Sequence, residues 1–536
     1  MADTMSRLLP QLVRSARRHL ARMPQLSMGR VPDAPALPIR DPWPGDPARG
    51  AALLRGELTV GGGTIALRAG GFAEAHGTMP LRAYLHGFTW LRDLRALGTD
   101  GARSRARALV AEWGGAAASE PLATRPDVTG ARIAAWLGHY DFFAASADDA
   151  FRQRLMTRLV ADARALAAAL PTEELDGRAL TAIKGLVAAA VALPEQTGFL
   201  SRAMRVLPGE IARQVMADGS HIERSPAMLL AALQDLTEIR ALLQAASVAA
   251  PPSLSAAIER MGPALRSLRH ADGGLALFNG TRGPEPALVE LVLAQAGRAG
   301  RPATTLADGG FERLLAGRTL VIVDTGVPAA PKHDRVAHAG TLAFEISIGR
   351  ERLIGNVGDT WAGAAEWRDA VRATAAHSTL VLADTSSSEL KPGGLGRRPT
   401  HVEVSRQEAN GAHWLEVSHD GWRKPFGAVH RRRLYIAESG EDIRGEDVIE
   451  AAEPQPFTIR FHLHPDVDAS VQHDHEAVLL RLPSGSGWRL RAEGARIDIE
   501  ESLWLGADTP RKAEQVVLTG FQDGPQHVKW AITKVG

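Results

Sequence analysis

Thr319-Leu-Val-Ile-Val-Asp324 and, a little further on, Thr341-Leu-Ala-Phe-Glu-Ile-Ser-Ile348 decide the architecture of this chain. Both runs are short, rich in β-branched and apolar residues, and bounded by Gly, Asp and Pro, as expected of strands packed on a sheet face. Glu351–Asn356 continues the pattern, which recurs at Thr379–Asp384, His401–Ser405, Trp414–Ser418, Arg433–Ala437, Phe457–Leu463, Ala477–Leu482, Trp488–Ala492 and Gln515–Thr519. Strands at this density predict stacked antiparallel sheets over residues 306–536, with Ala364–Ala373 the one stretch there that reads as helix.

Upstream the periodicity changes. Between residues 80 and 305 the segments Gly101–Trp113, Thr129–Ala145, Asp149–Leu170, Glu173–Leu193, Ser201–Ala217, Pro226–Ala246 and Leu254–Leu268 predict Ala- and Leu-rich helices with short loops. Short connections make neighbours antiparallel, so the expected product is a stack or ring of helical hairpins. Residues 1–79 read as an N-terminal helix, an entry loop at Asp41-Pro-Trp-Pro-Gly-Asp46 and a hairpin at the glycine run 61–63. The expectation is an α+β multidomain chain with boundaries 1–79, 80–305 and 306–536.

A chain of 536 residues exceeds one hydrophobic core, and 45% hydrophobic with 23% charged residues is ordinary globular composition. The 62 basic and 61 acidic residues leave a net charge of +1, so an acidic ligand needs a local arginine cluster, and nucleic acid finds no broad basic field. The absence of cysteine excludes disulfides, thiolate metal sites and cysteine nucleophiles. No phosphate loop, dinucleotide glycine motif, His-Glu-x-x-His or Gly-x-Ser-x-Gly is present. Arg14, Arg17, Arg18 and Arg22 alternate with leucines in an amphipathic helix, read as a packing helix or an interfacial membrane helix. The N-terminus carries no clear signal peptide, and no stretch approaches the roughly 20 apolar residues of a transmembrane helix.

Several words of the sequence carry a resemblance: Tyr84-Leu-His-Gly-Phe-Thr-Trp-Leu-Arg-Asp93, Asp218-Gly-Ser-His-Ile-Glu-Arg-Ser-Pro226, His338-Ala-Gly-Thr-Leu-Ala-Phe-Glu345, His377-Ser-Thr379 and Ser418-His-Asp-Gly-Trp422. In these places the chain resembles the heparinase II/III-like proteins, a group of uronate-polysaccharide lyases. The resemblance implies an N-terminal (α/α) toroid followed by a C-terminal antiparallel β-sandwich, at the cell envelope or periplasm; without a signal peptide, the cytoplasm stays open. It also implies β-elimination on an acidic, uronate-containing polysaccharide in the cleft between toroid and sandwich. Such chemistry needs a base for the proton beside the carboxylate and a donor or cation for the developing enediolate. The alternative is a catalytically inactive carbohydrate-binding or envelope-assembly protein on the same fold.

Carried onto this sequence, the resemblance implies His338, His221, Arg224 and Tyr435 as catalytic residues. Zinc, which some members bind, would fall to His338, Asn356 and His377, with Asn356 in place of the usual carboxylate. Departures stand beside these matches. Ser225-Pro226 is followed by Ala227, Met228 and Leu229 where the family has a tyrosine, residues 174–184 hold neither Asn nor His, and Val336 takes the first histidine position of the sandwich motif. For glycan contact, Glu223, His86, Trp90, His419, Trp422, His430 and Arg431 are expected, Trp90 as a stacking ring and Arg431 as a cation. Each has a plainer reading. Trp90 and His86 suit a core, Asp420 a turn, and the run His430–Arg433 a strand with at most two arginines on one side.

Overall fold

The computed structural model describes residues 31–67, 72, 77–116, 120–193, 198–283, 285–297, 300–360, 365–451, 453–472, 475–507, 509–522 and 526–535. The expected helix within residues 1–30 lies outside them. The chain divides into two compact units, Met1–Gln214 with Ala231–Ile258, and Val215–Leu230 with Glu259–Gly536. Among the described residues no helix is long and apolar enough to cross a membrane.

The first unit is helical, with Met79–Gly87, Leu91–Leu97, Asp100–Ala116, Pro126–Gly138, Asp149–Ala169, Arg178–Ala192 and Phe199–Gln214 in succession. Starts follow local chemistry. Pro126 opens its helix where no amide is needed, and the Phe151 amide donates to the Asp148 carboxylate at 2.7 Å. Arg178–Ala192 begins later than the expected Glu173: Gly177 is its N-cap, and the Arg178 amide donates to the Asp176 carboxylate at 3.1 Å just ahead of it. This helix packs on Pro126–Gly138 backbone to backbone: a Cβ on Gly185 would stand 2.2 Å from the Gly130 Cα. The hairpin Glu57–Val60 with Gly63–Ala66 forms at the glycine run as expected.

The second unit carries the ends of two helices, Pro226–Ala245 and Pro252–Ser267, a third helix Pro286–Ala296, and then two antiparallel sheets. One sheet orders Arg496–Trp504, Arg511–Gln522, Gln455–Leu463, Glu351–Gly355, Phe344–Ile348, Thr319–Asp324, Phe311–Ala316 and Thr305–Leu306, with Leu380–Leu382 also on Gln455–Leu463. The other orders Val402–Ala409, Ala412–His419, Val429–Ile436, Asp442–Glu450, Gln526–Val535, Gly487–Glu493, Ala477–Arg481 and Asp468–Gln472. Inward residues of both, among them Val321, Phe344, Leu415, Ile436, Trp488 and Trp530, form one buried core. Phe344 stacks on Trp530 at 5.7 Å between ring centres. Gly445 is a glycine because a Cβ there would lie 2.0 Å from the Trp530 ring.

Candidate functional site

His377 follows a single 3-10 turn, Thr374–Ala376, whose exit into extended backbone aims the imidazole inward. Its Nδ1–H donates to the Ala373 carbonyl at 2.8 Å, which leaves Nε2 as an acceptor. His338 Nδ1 lies 3.1 Å from that Nε2, and the Gly280 amide donates to His338 Nε2 at 3.0 Å. These contacts determine both tautomers. His338 carries its proton on Nδ1 and passes it toward His377, so each lone pair of the two neutral rings is already engaged. Burial holds His338 well below the usual histidine range, with His377 and Arg372 adding to the effect. Burial likewise brings His377 to about 4, against the pull of the Ala373 carbonyl.

Around this pair the polar groups are matched one by one. Asn279 donates to the Arg224 carbonyl at 2.9 Å and accepts from the His338 amide at 3.1 Å. Arg224 sits at a φ of +53°, and its guanidinium reaches Gly309 O at 2.7 Å, Gly310 O at 3.0 Å and Asp324 at 2.5 Å. Asn356 accepts from the Ser378 amide at 2.9 Å and donates to Glu345 at 2.9 Å. The Glu345 carboxylate also meets His270 and the Leu277 amide, at 2.9 and 2.8 Å, and these hydrogen bonds with nearby Arg352 outweigh burial and keep it ionised. His221 and Glu223 are buried beside one another at 3.8 Å, and Arg335 stands 3.6 Å from Glu223.

The fold thus brings His338, His377, Asn356 and the backbone of Arg224 together through Asn279, which sequence reading does not single out. The other expected site residues lie elsewhere. His86 and Trp90 are fully buried in the helical unit, His86 between the Trp113 indole at 3.0 Å and Glu120 at 2.6 Å, and Trp90 against Phe88. They are core residues, placed there by the aromatic cluster of Phe88, Trp113 and Trp136. His419, Trp422 and His430 are buried together inside the sandwich, and His430 meets Asp447 at 2.7 Å. Arg431 points the opposite way and pairs with Glu416 at 2.9 Å. Tyr435 is also on the outward side of Val429–Ile436, its ring tilted against Trp414 with centres 5.1 Å apart, away from the histidine pair.

The donor set does not suit zinc. A metal on His338 Nδ1 would require a proton on Nε2, directly opposing the Gly280 N–H, and Asn356 has both ends of its amide engaged. Among the described residues no three His, Asp or Glu side chains gather as metal ligands.

The family description Heparinase II/III-like, C-terminal, matches residues 298–531. A crystal structure of heparinase III superimposes with a TM-score of 0.74 over 97% of this chain and 89% of that one, at 12% identity. The chain belongs to the heparinase II/III-like family. The heparan sulfate lyase HepC from Pedobacter heparinus matches with a TM-score of 0.59 over 98% of this chain and 88% of that one, at 16% identity, a likeness of fold. A relative, FtsZ-localized protein C of Caulobacter vibrioides (strain NA1000 / CB15N), is 32% identical over 521 residues, covering 92% of this chain and 89% of the relative. Heparinase II/III-like architecture is therefore shared by lyases and by a protein named for where it localises.

Proposed function

We propose that this chain is a catalytically silent heparinase II/III-like protein that serves envelope assembly by binding. One observation carries the reading: the two histidines that match the family motif have no lone pair left for a substrate proton, since His338 Nε2 is taken by Gly280 and His377 Nε2 by His338. The missing tyrosine after Ser225-Pro226 and the commitment of Arg224 to Asp324 support it from the acid and clamp sides. The relative's name, which ties that protein to FtsZ, supports a place with the division apparatus.

The test is ultraviolet absorbance of 4,5-unsaturated uronate on purified protein with heparan sulfate, alginate and hyaluronan. A flat trace is expected from folded protein, with a known lyase as positive control. Rising absorbance that disappears in His338→Ala would overturn the proposal and restore the second reading, β-elimination on an acidic glycan. That reading is favoured by the relay from His338 Nδ1 through His377 to the Ala373 carbonyl, which fixes His338 Nε2 as the basic atom of the pair.

A further inference from the structure

The outward face of the eight-stranded sheet holds a groove of about 900 Å³, lined by four cations and four carboxylates, so its net charge selects no ligand. Their order along the sheet is more informative. In the pairing register Glu416 lies opposite Arg433, Arg433 opposite Glu446 and Glu446 opposite Lys529, a row whose sign alternates at every strand. Two residues along each strand, the neighbouring row is Trp414, Tyr435, Arg444 and Ala531. Trp414 stands 42% exposed, its ring tilted against Tyr435 with centres 5.1 Å apart, although a tryptophan on a strand ordinarily finds cover. At the other end of that row the short side chain of Ala531 leaves a hollow.

A two-fold axis running along the strands, between Arg433 and Glu446, turns each row against itself in reverse order. Arg433 then faces Glu446 of a second copy, and Glu416 faces its Lys529, so every facing pair is of opposite sign. Arg433 already bonds Glu416 at 2.6 Å and Glu446 at 2.8 Å within its own chain, and the axis gathers two arginines and two glutamates into a closed ring of alternating charge. Held in place before association, these side chains lose little rotamer freedom in forming it. In the neighbouring row the same rotation sets Trp414 over the hollow at Ala531 and the Tyr435 ring against the Arg444 guanidinium. Facing sheets lie ~10 Å apart, a distance that an arginine and a glutamate side chain span together. The five strands of this face run from seven to ten residues. At ~4.8 Å between strands and ~3.4 Å per residue they present about 24 Å by 24 Å, roughly 1,150 Å² over two copies, above the ~1,000 Å² of a specific interface.

We infer that this face joins two copies of the chain into a symmetric dimer, with Trp414 of each seated on Ala531 of the other and the alternating charges interlocked. The exposed indole, the hollow and the order of charges each find their counterpart on the same surface, a match that a ligand of one sign does not offer. The interface is separate from the histidine pair and independent of whether that pair can catalyse.

The experiment is sedimentation velocity of the full chain across a concentration series. A reversible shift from the 57.2 kDa monomer to twice that mass is expected, and high salt should weaken it. Trp414→Ala should weaken the association about tenfold. Lys529→Glu places two like-charged pairs across the axis, as does Glu416→Lys, so each of these variants alone should sediment as a monomer. Mixed together they should form a dimer, because every facing pair is again of opposite sign. Within one chain the two positions are three strand spacings apart, roughly 14 Å at ~4.8 Å each and beyond the ~8 Å screening length, so the rescue reports a contact between copies. Melting curves check that both variants are folded. Three results would overturn the inference: a monomer at every concentration, which leaves the face to another partner; a dimer that both charge variants retain; or charge variants that stay monomeric when mixed.

Discussion

His338 and His377 show how little room a buried imidazole has for two roles. Each nitrogen has one partner, and the chain from the Gly280 amide to the Ala373 carbonyl is complete only when both rings are neutral. His377→Gln breaks that chain at a fully buried position and should cost about 1–3 kcal/mol in urea unfolding, the usual cost of an unmet buried polar group. The thermal unfolding midpoint of the unsubstituted chain should be the same in EDTA and in equimolar zinc; a fall of several degrees in EDTA would show a metal between the rings. Asp324→Ala should cost more, about 3–5 kcal/mol by the same measurement, because it strands the buried Arg224 guanidinium. The two imidazoles are legible in sequence as motif residues. Their mutual contact is not, since 39 positions separate them and only the packing of three loops closes the gap.

Among the elements, the short runs rich in β-branched and apolar residues are legible. Thr319–Asp324 forms as expected, although all six of its residues are buried, and the strand expected at Arg433–Ala437 begins earlier, as Val429–Ile436, alternating so that Arg432 faces in while Arg431 and Arg433 face out. Asp442–Glu450 escapes sequence reading because its core side includes Asp447. A carboxylate in that position destroys the hydrophobic pattern, and only the fold supplies its partners: Arg432 at 2.7 Å, His430 at 2.7 Å and the Trp530 indole at 2.9 Å. The attraction of Arg432 and the hydrogen bonds from His430 and Arg432 overcome burial and keep Asp447 far below the usual carboxylate range. Asp447→Ala should therefore destabilise the sandwich by about 3–5 kcal/mol, whereas Glu493→Ala, on an exposed strand position, should change stability by less than about 0.5 kcal/mol. Chemical denaturation of both variants checks the contrast. Gly445→Ala should be costly too, since its new methyl meets the Trp530 ring.

Across the whole molecule, buried neutral histidines recur in both units. His86 and His377 are pushed down to about 4 and His462 to about 3, in each case chiefly by burial. The unfolded chain takes up these protons first, near the ordinary value of 6.5, so the folded state loses stability as pH falls below that point and continues to lose it toward 4. Melting temperatures measured from pH 7.5 to 4.5 should fall steadily below about 6.5, and a flat profile would show that these rings titrate freely. A helical first half and a sheet-rich second half were legible from periodicity, because amphipathic spacing is a local property that each segment carries on its own. The resemblance to the heparinase II/III-like group was legible for the same reason, from short words around His86, His221 and His338. Which of those residues face solvent was decided by tertiary structure alone. Burial and hydrogen-bond partners depend on segments distant in sequence, and here they enclosed the expected histidines while leaving Trp414, Tyr435 and Arg491 on an open face.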